Sequence, residues 1–470
     1  MLFYLPILLL IPFISALVAY AAGDKHSYAV SLIASSILFI FVIFLLYQIH
    51  LSSLSSLSFS VKYIPGLNAG FSLQLTEYTV ILLVMLAIVF LAASIVGNYF
   101  VGRENGRLYN TLFLFVEGGA LGVFLSSNLL LFYIFWEMSE VMVFLLIFIF
   151  GGYDRKYASI KFILYSIMSS LLILIGIMLL YSATGTFNIL SIISKSAGIS
   201  ATTQLGIMVL FLIGFMIKFP IFPLHSWLPD AYSESSTPTA MVLAGVLSKF
   251  GGYGLILTVL LLPVMRHYAV YLAAFAGFSA IYAAFVALRQ THIKRLIAYT
   301  SMADVGIIAI GIAAANTLGI SGALYGMLSH GIAISILFLL IGGIEKIYGT
   351  AEINRLTGLV KNVPQITYMF FIGVLITIGT PLTTGFVADL LIFFGSFAAF
   401  GINGLIPIFA IIIVAAYLFW TMEKVFFKVR NVREPYYAIG RSVIYAGILL
   451  ILFSIFFGVL PSILMSLSGL

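Results

Sequence analysis

The feature that most constrains this chain is a succession of apolar runs, each about 20 residues long, separated by short loops. An α-helix of that length crosses the hydrocarbon core of a bilayer with every backbone N–H and C=O paired internally. Such segments fall near 2–21, 28–48, 78–98, 110–126, 129–151, 159–181, 204–222, 239–262, 268–288, 296–314, 317–343, 366–398, 403–425 and 443–466, about fourteen in all. They predict an all-α integral membrane protein with one membrane domain over residues 1–470 and no room for a sizeable soluble domain. Composition agrees, because only 8% of the residues are charged and 63% are hydrophobic, against roughly 25% charged in soluble domains. The first apolar run has no basic leader and is too long for a signal-peptide core, so it is expected to be retained as a span.

The net charge of +7 does not form a basic face that would suit nucleic acid, since the cations are scattered through loops. Loops and helix ends that follow odd-numbered segments carry 17 Lys and Arg residues, among them Arg430 and Arg433, whereas the opposite side carries only Lys62, Lys195 and Arg266. By the positive-inside rule the odd loops are cytoplasmic and both termini extracytoplasmic. The expected location is the cell membrane of a prokaryote or another energy-transducing membrane. Without cysteine there is no disulfide, thiolate metal site or cysteine-held iron–sulfur cluster. The six histidines stand singly and no phosphate-cradling glycine loop is present, so no cofactor or metal is expected in this chain.

Two segments are interrupted. In the seventh, IKFPIFPLHSWLPD puts Pro220 and Pro223 just past Lys218, which removes backbone donors and forces a break. In the twelfth, Gly379, Pro381 and Gly385 act in the same way within IGTPLTTGFVADLL. Breaks at matching places in two blocks are the pattern of a transporter built from repeats. The blocks are residues 109–262 (segments four to eight) and 268–425 (segments nine to thirteen), expected to be two inverted five-helix repeats.

Within these spans lie charges that cost roughly 2.5–3.5 kcal/mol each to insert at bilayer depth, which makes each a functional candidate. They are Glu137, with Glu140 one turn on, Lys218, Lys249, Asp304, His330 and Asp389. A lysine whose proton affinity depends on a movable carboxylate, followed by a histidine that titrates near neutrality, suits proton transfer without bulk water. A static interhelical salt bridge would account for Glu137 with Lys218, and a histidine bonded to a neighbouring helix for His330. Glu117 and Glu140 also fit a passive role facing a cavity, and His225 and Asp230 sit in the loop beyond the first break as accessory candidates.

The motifs FYIFWE, KFPIFPLHSWLPDAYSESSTP, LAGVLSKFGGYG, KRLIAYTS, LSHGIAISILFLL and GTPLTTGFVADLL together resemble the antiporter-like subunits of respiratory complex I, most closely the M-type, over roughly residues 109–395. The resemblance implies a proton-translocating membrane-arm subunit of an NADH:quinone oxidoreductase-like complex, surrounded by other membrane-arm subunits that supply the energy and hold the redox chemistry. It implies that Glu137 modulates Lys218, that Lys249 is the central lysine, that His330 is the relay histidine and that Asp389 stands at the exit. An acid at 389, where the L- and N-types usually carry lysine, favours the M-type. The chain also stops after its fourteenth segment, without the long lateral helix of the L-type. It departs from the pattern at Asp304 and Tyr232, where histidine is common, and at His292, where an acid is. The same motifs occur in subunits of multi-subunit Na+/H+ antiporters and membrane-bound hydrogenases, which are the alternative reading. A static scaffold that anchors redox partners is a third.

Overall fold

The computed structural model describes residues 3–52, 57–64, 69–428 and 437–467, so the two chain ends and the loop cations Arg430 and Arg433 lie outside the described residues. The chain opens with α1 (Tyr4–Ser52), which folds back on itself at Gly23, where φ is +70°. The Tyr4 ring consequently meets Phe41 and Phe44, with centroids 6.1 and 5.7 Å away. An antiparallel pair follows, β1 (Leu57–Ile64) with β2 (Ala69–Leu75). This hairpin is the one departure from an all-α expectation, and its short alternating runs FSV and FSLQL have strand rather than helix periodicity. It is pinned to the bundle where Asn128 Nδ2 donates to Gly70 O and Ser127 N to Ser72 O.

The chain then runs through α2 (Glu77–Val101), α3 (Gly106–Leu125), α4 (Leu129–Phe150), α5 (Arg155–Thr184), the short α6 (Ile189–Lys195) and α7 (Ala201–Lys218). Only three residues separate α3 from α4, and the start of α4 is fixed because Asn128 Oδ1 accepts from Leu130 N and Leu131 N. After Lys218 the chain leaves helical geometry, turns through Pro220 and Pro223 and forms α8 (Leu228–Glu234). Backbone groups freed by the break find partners inside the protein: Trp227 Nε1 donates to Ile217 O at 2.9 Å and Phe222 N to Ser279 Oγ at 3.0 Å. The next rod is α9 (Thr237–Val242), a π-helical turn over Leu243–Leu247, and α10 (Ser248–Leu261).

There follow α11 (Met265–Leu288), α12 (Ile293–Ala313), α13 (Thr317–Tyr348), α14 (Pro364–Thr377), α15 (Thr384–Phe400) and α16 (Ile406–Met422), and then α17 (Arg441–Val459) and α18 (Ser462–Leu467). The link between α14 and α15 carries Gly379 and Leu382 at positive φ, so the twelfth apolar segment is broken where its glycines and proline stand. Among the described residues, 12 helices are long and apolar enough to cross a membrane, and two of these, Tyr4–Gln48 and Thr384–Phe427, run to 45 and 44 residues, about twice a spanning length. The most apolar stretches of Thr237–Leu261 and Thr317–Tyr348 are 100% buried, whereas that of Arg155–Thr184 is 39% buried. The first two are therefore the axis of the bundle, and α5 turns Leu164, Leu171 and Ile175 outward in the manner of a lipid-facing helix.

Candidate proton path

Lys218 is the last residue of α7, where unpaired carbonyls at the helix C-terminus favour a cation. Its Nζ is ion-paired with Glu140 Oε2 and also donates to Ser166 Oγ at 2.9 Å, while Ser166 Oγ donates to Glu140 Oε2 at 2.7 Å. The rings of Phe162 and Trp227 lie 4.2 and 5.1 Å from the ammonium. Three helices, α4, α5 and α7, thus close a triad whose lysine and glutamate side chains are 2% and 1% exposed.

The ion-pair partner of Lys218 is therefore Glu140 and not Glu137, which the static salt-bridge reading would have required. Glu137 and Glu140 are three residues apart on α4, which leaves them about 60° apart around the helix. Glu140 is the one turned inward to meet the end of α7; Glu137 is half-buried, beside Tyr133 and Ser170, with its Oε1 unbonded. It still lies in electrostatic reach of both Glu140 and Lys218.

Lys249 opens α10 directly after the π-helical turn. The wider turn presents the Ala244 carbonyl five residues back, and Lys249 Nζ donates to it at 2.6 Å and to Ser248 Oγ at 3.1 Å. Its third neighbour is His330 Nδ1 on α13, at 2.5 Å, and His330 Nε2 lies 3.0 Å from Ser301 Oγ on α12. The lysine is 0% exposed and the histidine 4%. Asp304, one turn beyond Ser301, interacts electrostatically with both Lys249 and Asp389. A cavity of about 30 Å³ is lined by Asp304, His330, Ser329, Thr377 and Asp389, room enough for water to bridge polar groups. On its far side Asp389 also borders a second cavity of about 180 Å³ between Ile378, Gly379, Phe386 and Ile412. Gly379 is required here: a Cβ on it would stand 2.1 Å from Asp389 Oδ2.

Two groups that pattern reading undervalued complete the axis. Ser166 and Ser301 are buried hydroxyls bonded to the charged residues, of a kind that polar residues within apolar helices signal. Tyr232, fully buried on α8, has its hydroxyl beside Ser248 and Ser301, the serines bonded to Lys249 and His330. Its ring packs edge-on to Trp227, which in turn faces Lys218. Among the described residues the hydrogen bonds of Lys218 and Lys249 go to different partners, and the Trp227–Tyr232 ring pair touches the surroundings of both.

The remaining candidates lie off the axis. Asp230 accepts from Lys161 Nζ at 2.8 Å and from Arg295 Nη1 at 2.9 Å, tying α8 to α5 and α12 at the end where the cationic loops gather. His225 is buried in the turn after the break, against Phe222 and Tyr282, with Nδ1 unbonded. Glu117 is remote from both lysines and packs on α1, where Ser35 Oγ donates to it. At the same end as Asp230, burial and then the adjacent Lys294 hold His292 below the usual imidazole range.

Residues 126–415 match the family model described as "NADH:quinone oxidoreductase/Mrp antiporter, TM". The F(420)H(2) dehydrogenase subunit M of Methanosarcina mazei is 33% identical, over 97% of this chain and 94% of its own length. The NADH-quinone oxidoreductase subunit M of Rickettsia prowazekii is 32% identical, over 94% of this chain and 90% of its own. A chain of the respiratory complex I structure from Thermus thermophilus superposes with a TM-score of 0.88, covering 99% of this chain and 98% of that one, and at 24% identity this is a likeness of fold. The chain belongs to the NADH:quinone oxidoreductase/Mrp antiporter transmembrane family, as an antiporter-like, proton-translocating membrane subunit of the M-type.

Proposed function

We propose that this subunit carries protons across the membrane arm of an NADH:quinone oxidoreductase-like complex, driven by quinone reduction in partner subunits. In this reading the chain holds no redox centre of its own. Protons are taken up from the cytoplasmic side at the Glu140–Ser166–Lys218 triad, with Glu137 as the outlying carboxylate that tunes it. They cross by Tyr232 to Lys249 and His330, and leave by Asp304 and Asp389. Both termini are extracytoplasmic and residues 109–262 and 268–425 act as two inverted halves in a prokaryotic cell membrane or its equivalent.

The observation that carries the reading is the contact of Lys249 with His330, two titratable nitrogens 2.5 Å apart on helices whose apolar stretches are 100% buried. Groups that exchange a proton must come within hydrogen-bond distance, and two adjacent bases whose nearest acid, Asp304, acts on Lys249 only through space are costly to bury for packing alone. The test uses the purified complex in proteoliposomes. Lys249→Ala is expected to abolish lumen acidification during quinone reduction while the complex still assembles. Undiminished acidification would sink the proposal, and a purified complex without any redox subunit would favour an antiporter instead.

A further inference from the structure

A second buried carboxylate lies away from this path, between α1 and α3. Glu117 is 0% exposed; its Oε2 accepts from Ser35 Oγ at 3.1 Å, and its Oε1 has no hydrogen-bond partner. Among the described residues no lysine, arginine or histidine forms an ion pair with it. One turn of α1 before Ser35 stands Ser31, 1% exposed, whose Oγ is likewise unbonded. One turn earlier again is Ser27, 0% exposed, whose Oγ donates to Asp24 O and accepts from Asn110 Nδ2 at 3.2 Å. Spacing by four residues puts the three serines on one face of α1, the face that meets α3.

The row reaches the surface at one end. Asp24 Oδ1 accepts from Arg107 N at 2.8 Å, and Asp24, Arg107 and the nearby Gly102 all belong to the loops that the charge distribution assigns to the cytoplasm. At its other end the row stops at Glu117. An unbonded buried polar atom costs about 1–3 kcal/mol, so two of them at consecutive levels of one helix pair require an explanation other than packing. Hydroxyl and protonated carboxyl groups can each donate and accept, so a row of them can pass a proton from one to the next.

We infer that Glu117 is a proton-binding site loaded from the cytoplasmic surface along the Ser27–Ser31–Ser35 seam, separate from the Lys218–Lys249–Asp389 path. Uptake forms an O–H bond on the Glu117 carboxylate with a proton given up by water at the Asp24 end, and release reverses the same step. The ligand is the proton itself and no electron moves. The inference does not depend on pumping, so it stands or falls separately from the function proposed above.

The test is infrared difference spectroscopy on the intact purified complex across a pH titration, reading the carbonyl stretch of protonated carboxylic acids. Glu117→Gln is expected to remove one such band. In Ser31→Val the band is expected to persist but to exchange with deuterium several-fold more slowly, and Ser31→Thr is expected to restore the exchange. If no band is lost in Glu117→Gln, or if Ser31→Val exchanges as fast as the unaltered complex, the site and its route are overturned. The serine variants leave the carboxylate intact, so the outcome does not hinge on Glu117→Gln assembling.

Discussion

At the scale of single residues, the decisive feature is which carboxylate meets Lys218. A buried ion pair contributes little by existing, but removing one partner strands a charge and costs about 3–5 kcal/mol. Glu140 is the direct partner and shares Ser166 with the lysine, whereas Glu137 acts from a half-buried position through space. Glu140→Gln is therefore expected to lower both thermal stability and proton pumping of the complex, and Glu137→Gln to lower pumping with little loss of stability. Melting curves and acidification rates on the two variants check this. A Glu137→Gln complex that melts earlier than the Glu140→Gln one would show that the working partner is the other residue. Sequence alone could name both glutamates but not rank them, because residues three apart on a helix differ by about 60°, and only the direction from which α7 arrives selects between them.

At the scale of elements, the two breaks and the π-helical turn set the positions of the charges. Pro220 and Pro223 end α7 at Lys218, and the break lets α10 approach very closely: a Cβ on Gly251 would stand 2.5 Å from Phe219 N and 2.6 Å from Phe215 O. Both neighbours are backbone and cannot move aside alone. Gly251→Ala is thus expected to force α7 and α10 apart at a cost of about 1–3 kcal/mol, read as a lower melting temperature of the complex. Gly198→Ala, where nothing lies within 4 Å, is the control and should melt unchanged. The breaks were legible as proline and glycine within apolar runs. The π-helical turn was not, since LAGVL carries no residue that forbids an ordinary α-turn; within it Gly245 packs so closely on α13 that a Cβ would stand 2.6 Å from Ser335 Oγ and 3.1 Å from Gly331 O.

At the scale of the whole molecule, the proposed orientation in the bilayer rests on the cations in the loops, and the absence of cysteine makes it directly measurable. Tyr153, 99% exposed after α4, and Ser194, exposed on α6, fall on opposite sides in the orientation argued above. In intact cells, Tyr153→Cys is expected to react only with a membrane-permeant maleimide and Ser194→Cys also with an impermeant one; the reverse pattern would invert the topology and the direction of transport with it. By itself the sequence determined that the chain is a helical membrane protein, where its helices break, and which ionisable side chains are buried. Length, hydropathy and proline position are local properties, and the bilayer forces the backbone to satisfy itself within each helix. Only the tertiary structure decided that Glu140 rather than Glu137 holds Lys218, that Tyr232 stands beside Ser248 and Ser301, that Asp304 and Asp389 share a cavity, and that Glu117 faces a serine row on α1. The ion pair, the serine contact and the shared cavity join residues 78, 82 and 85 positions apart, fixed by which helix faces meet, and the near-uniform apolarity of the segments leaves no periodic stripe from which those faces could be read.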